Sequence, residues 1–277
     1  MPEGPEIRRA ADRVARAVVG VPLLGVEFGL KRLAPYESEL AASKVVEVTT
    51  RGKGMLTRFD CGLTVFSHNQ LYGKWYVTAR PQAPQTSRSL RFALYTERRW
   101  ALLYSASTIE VVPDAEIARI PFLAGLGPDC LDRLTTPQKV LRRLKNQAFR
   151  NRSLATLLLD QAFIAGLGNY LRSEILFEAK IHPGLRPRDC DEHQLMGLAR
   201  AIVKIPRRSY KTGGITCAPE VAAQLKAEGR RRRDYRHWVF RKGGQECLSC
   251  GDAIVDAVYG GRHLSYCPSC QRDEGRG

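Results

Sequence analysis

Long apolar runs are missing from this chain. No stretch approaches 18 uninterrupted apolar residues, so no segment reads as a membrane-spanning helix. The N-terminus, MPEGPEIRRAADR, lacks the apolar centre of a signal peptide. Acidic residues are also scarce, with 28 Asp plus Glu against 44 Lys plus Arg and a formal net charge of +16, which points to a polyanionic partner. There is no long internal repeat, and a repeat array is thereby set aside. What is present is 44% hydrophobic residues over 277 positions, enough to build cores, to exclude wholesale disorder and to favour two domains over one. A cytoplasmic, nucleoid-associated protein is expected.

Four of the eight cysteines stand far apart, at Cys61, Cys130, Cys190 and Cys217, and read as reduced structural residues. The other four crowd the C-terminus. Cys247, Cys250, Cys267 and Cys270 form C-x2-C-x16-C-x2-C, within the spacing of a structural zinc site. Two disulfides are the alternative, and they would need an oxidising compartment that nothing in the N-terminus supports.

Residues 5–19 place Ile7, Ala10, Ala11, Val14, Ala17 and Val18 at helical spacing, with Pro5 in the first turn and Gly20 as the stop. From Leu23 to about Pro113 the texture changes to short β-rich runs (VVEVTT, GMLTRF, LTVFSH, KWYV, RFALY, WALLYS), a β-sandwich or barrel pattern. Helical periodicity returns at Thr135 to Leu144, Leu154 to Phe163, Tyr170 to Ala179 and 193–204, before a turn-rich cysteine module. Between Pro206 and Glu246 there are 11 Lys plus Arg and 4 Asp plus Glu, including the run Arg230 to Arg233. Such a run is either a solvated loop or a nucleic-acid contact surface.

Removal of Met1 would leave Pro2 with a free secondary amine. An α-amino group titrates near 8, and the positive end of the following helix lowers that value, so the amine can act as a nucleophile that forms an iminium ion. Glu3 stands beside it for proton transfer. On the residues alone, a plain helix leader also accounts for this proline.

The whole string carries more. MPEGPEIRRAADR, RGKGML at 51–56, SHNQLYG at 67–73, LLLDQAFIAGLGNYLRSEILF at 157–177 and the four-cysteine module together resemble the formamidopyrimidine-DNA glycosylase and endonuclease VIII family over nearly the full chain. PEGPEI and QLY look like the endonuclease VIII branch. The resemblance implies an α+β protein: an N-terminal helix plus β-sandwich catalytic domain (1–125), a helix-two-turn-helix DNA-binding domain (126–236) and a zinc-finger hairpin module (237–277). The implied function is a bifunctional DNA glycosylase and abasic-site lyase that excises oxidised pyrimidines in base excision repair by β,δ-elimination. Oxidised-purine excision by the same family, or non-catalytic DNA binding, are the alternatives.

Residue by residue, the resemblance implies that Pro2 attacks C1′, that Glu3 handles protons, that Glu6 supports the site and that Lys53 binds phosphate near the lesion. Gln70, Leu71 and Tyr72 would fill the hole left by a flipped-out nucleotide. Without the resemblance, Leu71 and Tyr72 read as core residues of a hairpin. Asn169 can cap the helix after the GLGN turn, whose free N–H groups suit phosphate, and Arg262 would grip phosphate beside the lesion. One structural zinc, held by Cys247, Cys250, Cys267 and Cys270, is expected; the partner is double-stranded DNA with oxidised bases or abasic sites, and the chain is expected to be a monomer. His68 and His182 lie in no ligand spacing and are assigned structural roles. Lys211 to Arg236 is longer and more basic than the family pattern leads one to expect, and it falls where the family's damaged-base loop would lie.

Overall fold

The computed structural model describes residues 2–272. Met1, on whose removal a free Pro2 amine depends, and residues 273–277 of the expected zinc module lie outside the described residues. The chain divides into two compact units, Met1–Gly125 and Leu126–Gly277.

The first unit opens with α1 (Gly4–Val18), which buries the residues its periodicity marks: Ile7, Ala10, Ala11, Val14, Ala17 and Val18. Then follow β1 (Leu23–Glu27), α2 (Glu37–Ala41), β2 (Val45–Arg51), β3 (Gly54–Phe59), β4 (Leu63–His68), β5 (Lys74–Ala79), β6 (Leu90–Thr96), β7 (Arg99–Tyr104), β8 (Thr108–Pro113) and the short α3 (Pro121–Ala124). The strands make two four-stranded antiparallel sheets, β1-β6-β7-β5 and β2-β3-β4-β8. Each strand alternates sides, so Phe92, Leu94, Ala101 and Leu103 of one sheet share a core with Met55, Phe59 and Val65 of the other and with the apolar face of α1.

The second unit contains α4 (Pro137–Lys145), α5 (Leu154–Leu157), α6 (Asn169–Glu178), α7 (Glu192–Lys211), α8 (Pro219–Ala227), α9 (Arg232–Tyr235) and the hairpin of β9 (Val255–Tyr259) and β10 (Arg262–Tyr266). Its core joins Val140, Leu144, Leu154, Leu171, Ile175, Leu198, Ile202 and Leu264, so the hairpin is packed onto the helices. No helix among the described residues is long and apolar enough to cross a membrane.

Two expectations change. The helix expected from Leu154 to Phe163 stops at Leu157. Asp160 then accepts from the Ala162 N–H, and the Gln161 side chain bonds Leu159 O, Leu167 O and Gly166 N–H, so side chains take over the backbone groups that a helix would have paired. The helix expected to end at 204 continues through Pro206 to Lys211. Proline removes one helical hydrogen bond there, but Pro206 and Ser209 are buried and the packing on both sides carries the helix on. The Lys211 to Arg236 segment holds two helices, α8 and α9, with Arg230 to Arg233 exposed at the junction between them.

Candidate active site and nucleic-acid interface

The nucleophile candidate, Pro2, immediately precedes Glu3, which is the N-cap of α1 and only 3% exposed. The Glu3 N–H donates to Glu6 Oε2 at 3.1 Å, and Glu6 Oε1 accepts from Arg9 at 3.1 Å. Glu6 therefore fixes the first turn of the helix through a capping box. Pro2, Glu3 and Glu6 all belong to one helix start, the end of α1 that carries the positive pole of the helix dipole.

Lys53 sits in the two-residue turn between β2 and β3, where Arg51 pairs with Gly54 and Gly52 takes a φ of +60°. A turn this tight needs left-handed backbone, and glycine supplies it without strain. The neighbouring strand end carries His68, whose ring lies 4.5 Å from that of Phe122. Burial, with the positive charge of Lys53 in support, lowers the His68 pKa to about 4. The imidazole is neutral at physiological pH, a packed aromatic next to the lysine.

Gln70, Leu71 and Tyr72 occupy the turn between β4 and β5. Leu71 is 59% and Tyr72 69% exposed, so neither belongs to the core, contrary to the reading of this stretch as an ordinary hairpin. The tip is nonetheless held firmly. Gly73 N–H donates to Asn69 O at 2.7 Å, and a Cβ at Gly73 would come within 2.6 Å of the Asn69 backbone, so only glycine closes the turn. Gln70, at φ +48°, donates to Thr108 Oγ1 at 2.9 Å and accepts from Ser107, while Arg88 donates to Tyr72 O. Sequence reading missed these three braces, because they come from strands and loops up to 38 positions away.

In the second unit, Asn169 does not cap α6. Gly168 is the N-cap, in extended conformation, and the Asn169 side chain donates instead to His263 O at 2.7 Å and accepts from Arg172 at 2.6 Å. Arg172, fully buried, also donates to Ala155 O at 2.9 Å and His263 O at 2.9 Å, so the residue beside Arg262 is pinned to the helix that carries Asn169. The structure thus brings Asn169 and the Arg262 end of the hairpin together.

A second buried charge stands two positions on. Glu174 accepts from Thr216 Oγ1 and from the backbone N–H groups of Trp238 (2.8 Å), Val239 (2.9 Å) and Phe240 (3.0 Å). Burial pushes its pKa up, and the four donors pull the other way. Thr216 Oγ1 also lies 2.9 Å from His237 Nδ1 and 3.1 Å from Arg236 O, so the hydroxyl sits at the centre of this buried polar group. Neither Arg172 nor Glu174 was singled out from sequence; two charges inside the apolar string NYLRSEILF were the available signal.

The four C-terminal cysteines place their sulfurs within 4.8 Å of one another, with Cys247 to Cys270 at 3.9 Å and Cys250 to Cys267 at 3.5 Å. Zn–S bonds of about 2.3 Å in a tetrahedron set sulfurs about 3.8 Å apart, so the cluster fits one zinc. The Ser249 N–H donates to Cys247 Sγ at 3.4 Å, and buried Gln271 accepts from Cys267 N–H while donating to Ile181 O. With four thiolates and no open position, the zinc is structural. His182 belongs to no such cluster: its Nδ1 accepts from Gly184 N–H, and its ring meets Tyr266 edge-on at 5.1 Å.

Comparison with known proteins agrees with this layout. Residues 1–106 match the formamidopyrimidine-DNA glycosylase N-terminal domain, 126–220 its H2TH domain and 244–272 the zinc finger found in that enzyme and in IleRS. Endonuclease 8 of Salmonella heidelberg (strain SL476) is 46% identical over 272 residues, covering 98% of this chain and all of the relative. The chain belongs to the formamidopyrimidine-DNA glycosylase and endonuclease VIII family. The enzyme is accordingly a bifunctional DNA glycosylase and abasic-site lyase with one structural zinc. Endonuclease 8 of Salmonella enteritidis PT4 (strain P125109) is 45% identical over the same span. The fold matches that of Lactococcus lactis Fpg in complex with DNA containing N7-benzyl-Fapy-dG, with a TM-score of 0.80 at 21% identity over 98% of this chain and all of that one.

Proposed function

We propose that the enzyme excises oxidised pyrimidines from duplex DNA through a Schiff base on Pro2. The observation that carries the reading is the start of α1, where Pro2 immediately precedes the helix N-cap, Glu3, whose side chain is buried. The lone pair of the Pro2 nitrogen attacks C1′ of the damaged nucleotide. The glycosidic bond breaks and the base leaves with its electrons and a proton. Glu3 protonates O4′ as the sugar ring opens, and loss of the nitrogen's proton pairs with formation of the C1′ iminium. The iminium acidifies the C2′ proton; its loss expels the 3′ phosphate, and a second elimination expels the 5′ phosphate. Lys53 and Arg262 bind phosphate at the lesion, and Asn169 lies on the same phosphate-binding surface as Arg262.

The substrate preference rests on the PEGPEI and QLY motifs of the endonuclease VIII branch, and the exposed Gln70-Leu71-Tyr72 tip supports it. Extruding a nucleotide costs a few kcal/mol, less for a ring-saturated pyrimidine that has lost its stacking, and an exposed apolar wedge offsets the remainder. Duplex DNA with oxidised pyrimidines or abasic sites is therefore the partner, acted on by a monomer inside the cell.

Borohydride trapping on an abasic duplex tests the chemistry, since protein beginning at Pro2 should form a covalent adduct and protein retaining Met1 should not. Single-turnover rates on matched duplexes test the preference. Thymine glycol should be released faster than 8-oxoguanine, and Leu71→Ala should slow base release more than cleavage at a preformed abasic site. A faster rate on 8-oxoguanine overturns the pyrimidine assignment and leaves the Pro2 chemistry standing.

A further inference from the structure

The segment from Lys211 to Arg236 carries much of the local positive charge, and it is a folded element. Thr216 near one end and Trp238, Val239 and Phe240 just past the other all bond Glu174 of α6. Thr216 N–H donates to Arg236 O at 2.8 Å, closing the segment at its base. Cys217, Ala222 and Tyr235 form a small core with Ile215, Leu225 and Trp238. Two arginines brace the backbone from inside the segment: Arg232 donates to Gly213 O at 2.6 Å and Arg236 to Gly214 O at 3.1 Å.

The remaining cations face water. Lys226, Arg230, Arg231 and Arg233 are exposed, the side chains of Arg231 and Arg233 by 71% and 69%. Asp234 lies 3.9 Å from Arg231 and 3.6 Å from Arg233, long, exposed ion pairs of little energetic weight that leave both guanidinium groups accessible. Helix α8 ends in a left-handed Gly229 (φ +76°), with Arg230 N–H bonded back to Leu225 O, so the run begins at a fixed helix stop rather than in slack chain. Glu174, which anchors the segment, is five residues along α6 from Asn169, about 7.5 Å at the helical rise.

We propose that α8 and α9 form an ancillary backbone clamp for duplex DNA, in which Lys226, Arg230, Arg231 and Arg233 neutralise phosphates irrespective of damage. The inference rests on duplex DNA being the partner and is independent of the Pro2 chemistry. A folded segment loses little loop freedom on binding, and each phosphate neutralised releases a counterion, so the clamp adds affinity for any duplex together with salt dependence.

The test is the affinity of the full-length protein for an undamaged duplex between 50 and 200 mM salt, where no chemistry intervenes. Each arginine lost should reduce the slope of log affinity against log salt by about 0.9. The variant R230A/R231A/R233A should therefore bind with a slope shallower by about 2 to 3, so that its affinity loss over this range is roughly 40-fold smaller than that of the wild type. A control of equal charge loss, R16A/R58A/R119A, should keep the wild-type slope. An unchanged slope in the first variant, or an equal change in both, overturns the clamp. The first outcome would leave the run to solvent or to an acidic protein partner.

Discussion

In the first unit the groups assigned to chemistry stand on the ends and turns of an apolar scaffold: Pro2 and Glu3 at a helix start, Lys53 in a hairpin, Leu71 and Tyr72 on a loop tip. In the second unit the helix that presents Asn169 carries Arg172 and Glu174 fully buried, and each bonds backbone far away in sequence. The contrast separates two ways of preorganising a site. A β-sandwich is already rigid, so reactive groups can be mounted on its helix start and turns and held there by a capping box and by hydrogen bonds between exposed loops. The second unit must hold a helix, a basic segment and a zinc hairpin in register, and buried charges do this because an unmet partner is costly and each contact is directional.

The sharpest test of that contrast is Glu3→Gln. As an acid–base group on a stable rim, Glu3 should contribute 10²- to 10⁴-fold to base release, with duplex affinity and melting temperature little changed. Single-turnover glycosylase rates beside a melting curve check this, and a large drop in melting temperature would break the distinction between rim and core.

Glu174→Ala should do the reverse. It strands three backbone N–H groups, at a cost of at least about 3 kcal/mol. For a unit of this size that corresponds to a melting shift of roughly 6–12 °C, with loss of order at residues 238–240 visible by hydrogen exchange. A melting curve that matches the wild type would show that the buried carboxylate is incidental.

Arg262→Ala is smaller. Its side chain is exposed on the hairpin while the carbonyl beside it is what Arg172 holds, so stability should stay within about 0.5 kcal/mol and the salt slope of DNA binding should fall by about 0.9. An unaltered slope means that the residue is merely solvated.

A further effect concerns pH in the first unit and leaves stability at neutral pH untouched. His68 has its folded pKa lowered to about 4 from the ordinary 6.5, so the unfolded chain takes up the proton first as pH falls. Its contribution is complete above about pH 6.5 and is lost on acidification towards 4. Melting of the wild type should decline over that window, and His68→Gln should flatten the decline; an identical pH profile in the variant would count against a neutral, buried imidazole.

Particular residues show how much could be read in advance. The α1 face is written in one stretch of fifteen residues, and the strands alternate within six or seven, so neighbours in sequence suffice. The zinc ligands are equally local, two Cys-x2-Cys pairs joined by one hairpin. Family motifs marked Pro2, Glu3, Lys53, Gln70 and Arg262 as candidates without any geometry. Asn169 was placed correctly at a helix start but given the wrong bond, because its partner is His263, 94 positions away.

The amino-acid sequence by itself determined the class of the protein: an excess of basic charge, two kinds of periodic texture, a four-thiol metal site and a nucleophile candidate at the second position. Each depends on residue type and short spacing alone. Only the tertiary structure decided how the exposed Gln70-Leu71-Tyr72 tip is braced, that α7 runs through Pro206, that a basic stretch folds as α8 and α9, and that Arg172 and Glu174 are buried. In each case the local preference is outweighed by partners tens of residues distant, such as the three amides that meet Glu174 from 64 to 66 positions along the chain. Burial of a charge is favourable only where those donors converge, and no local pattern specifies their convergence.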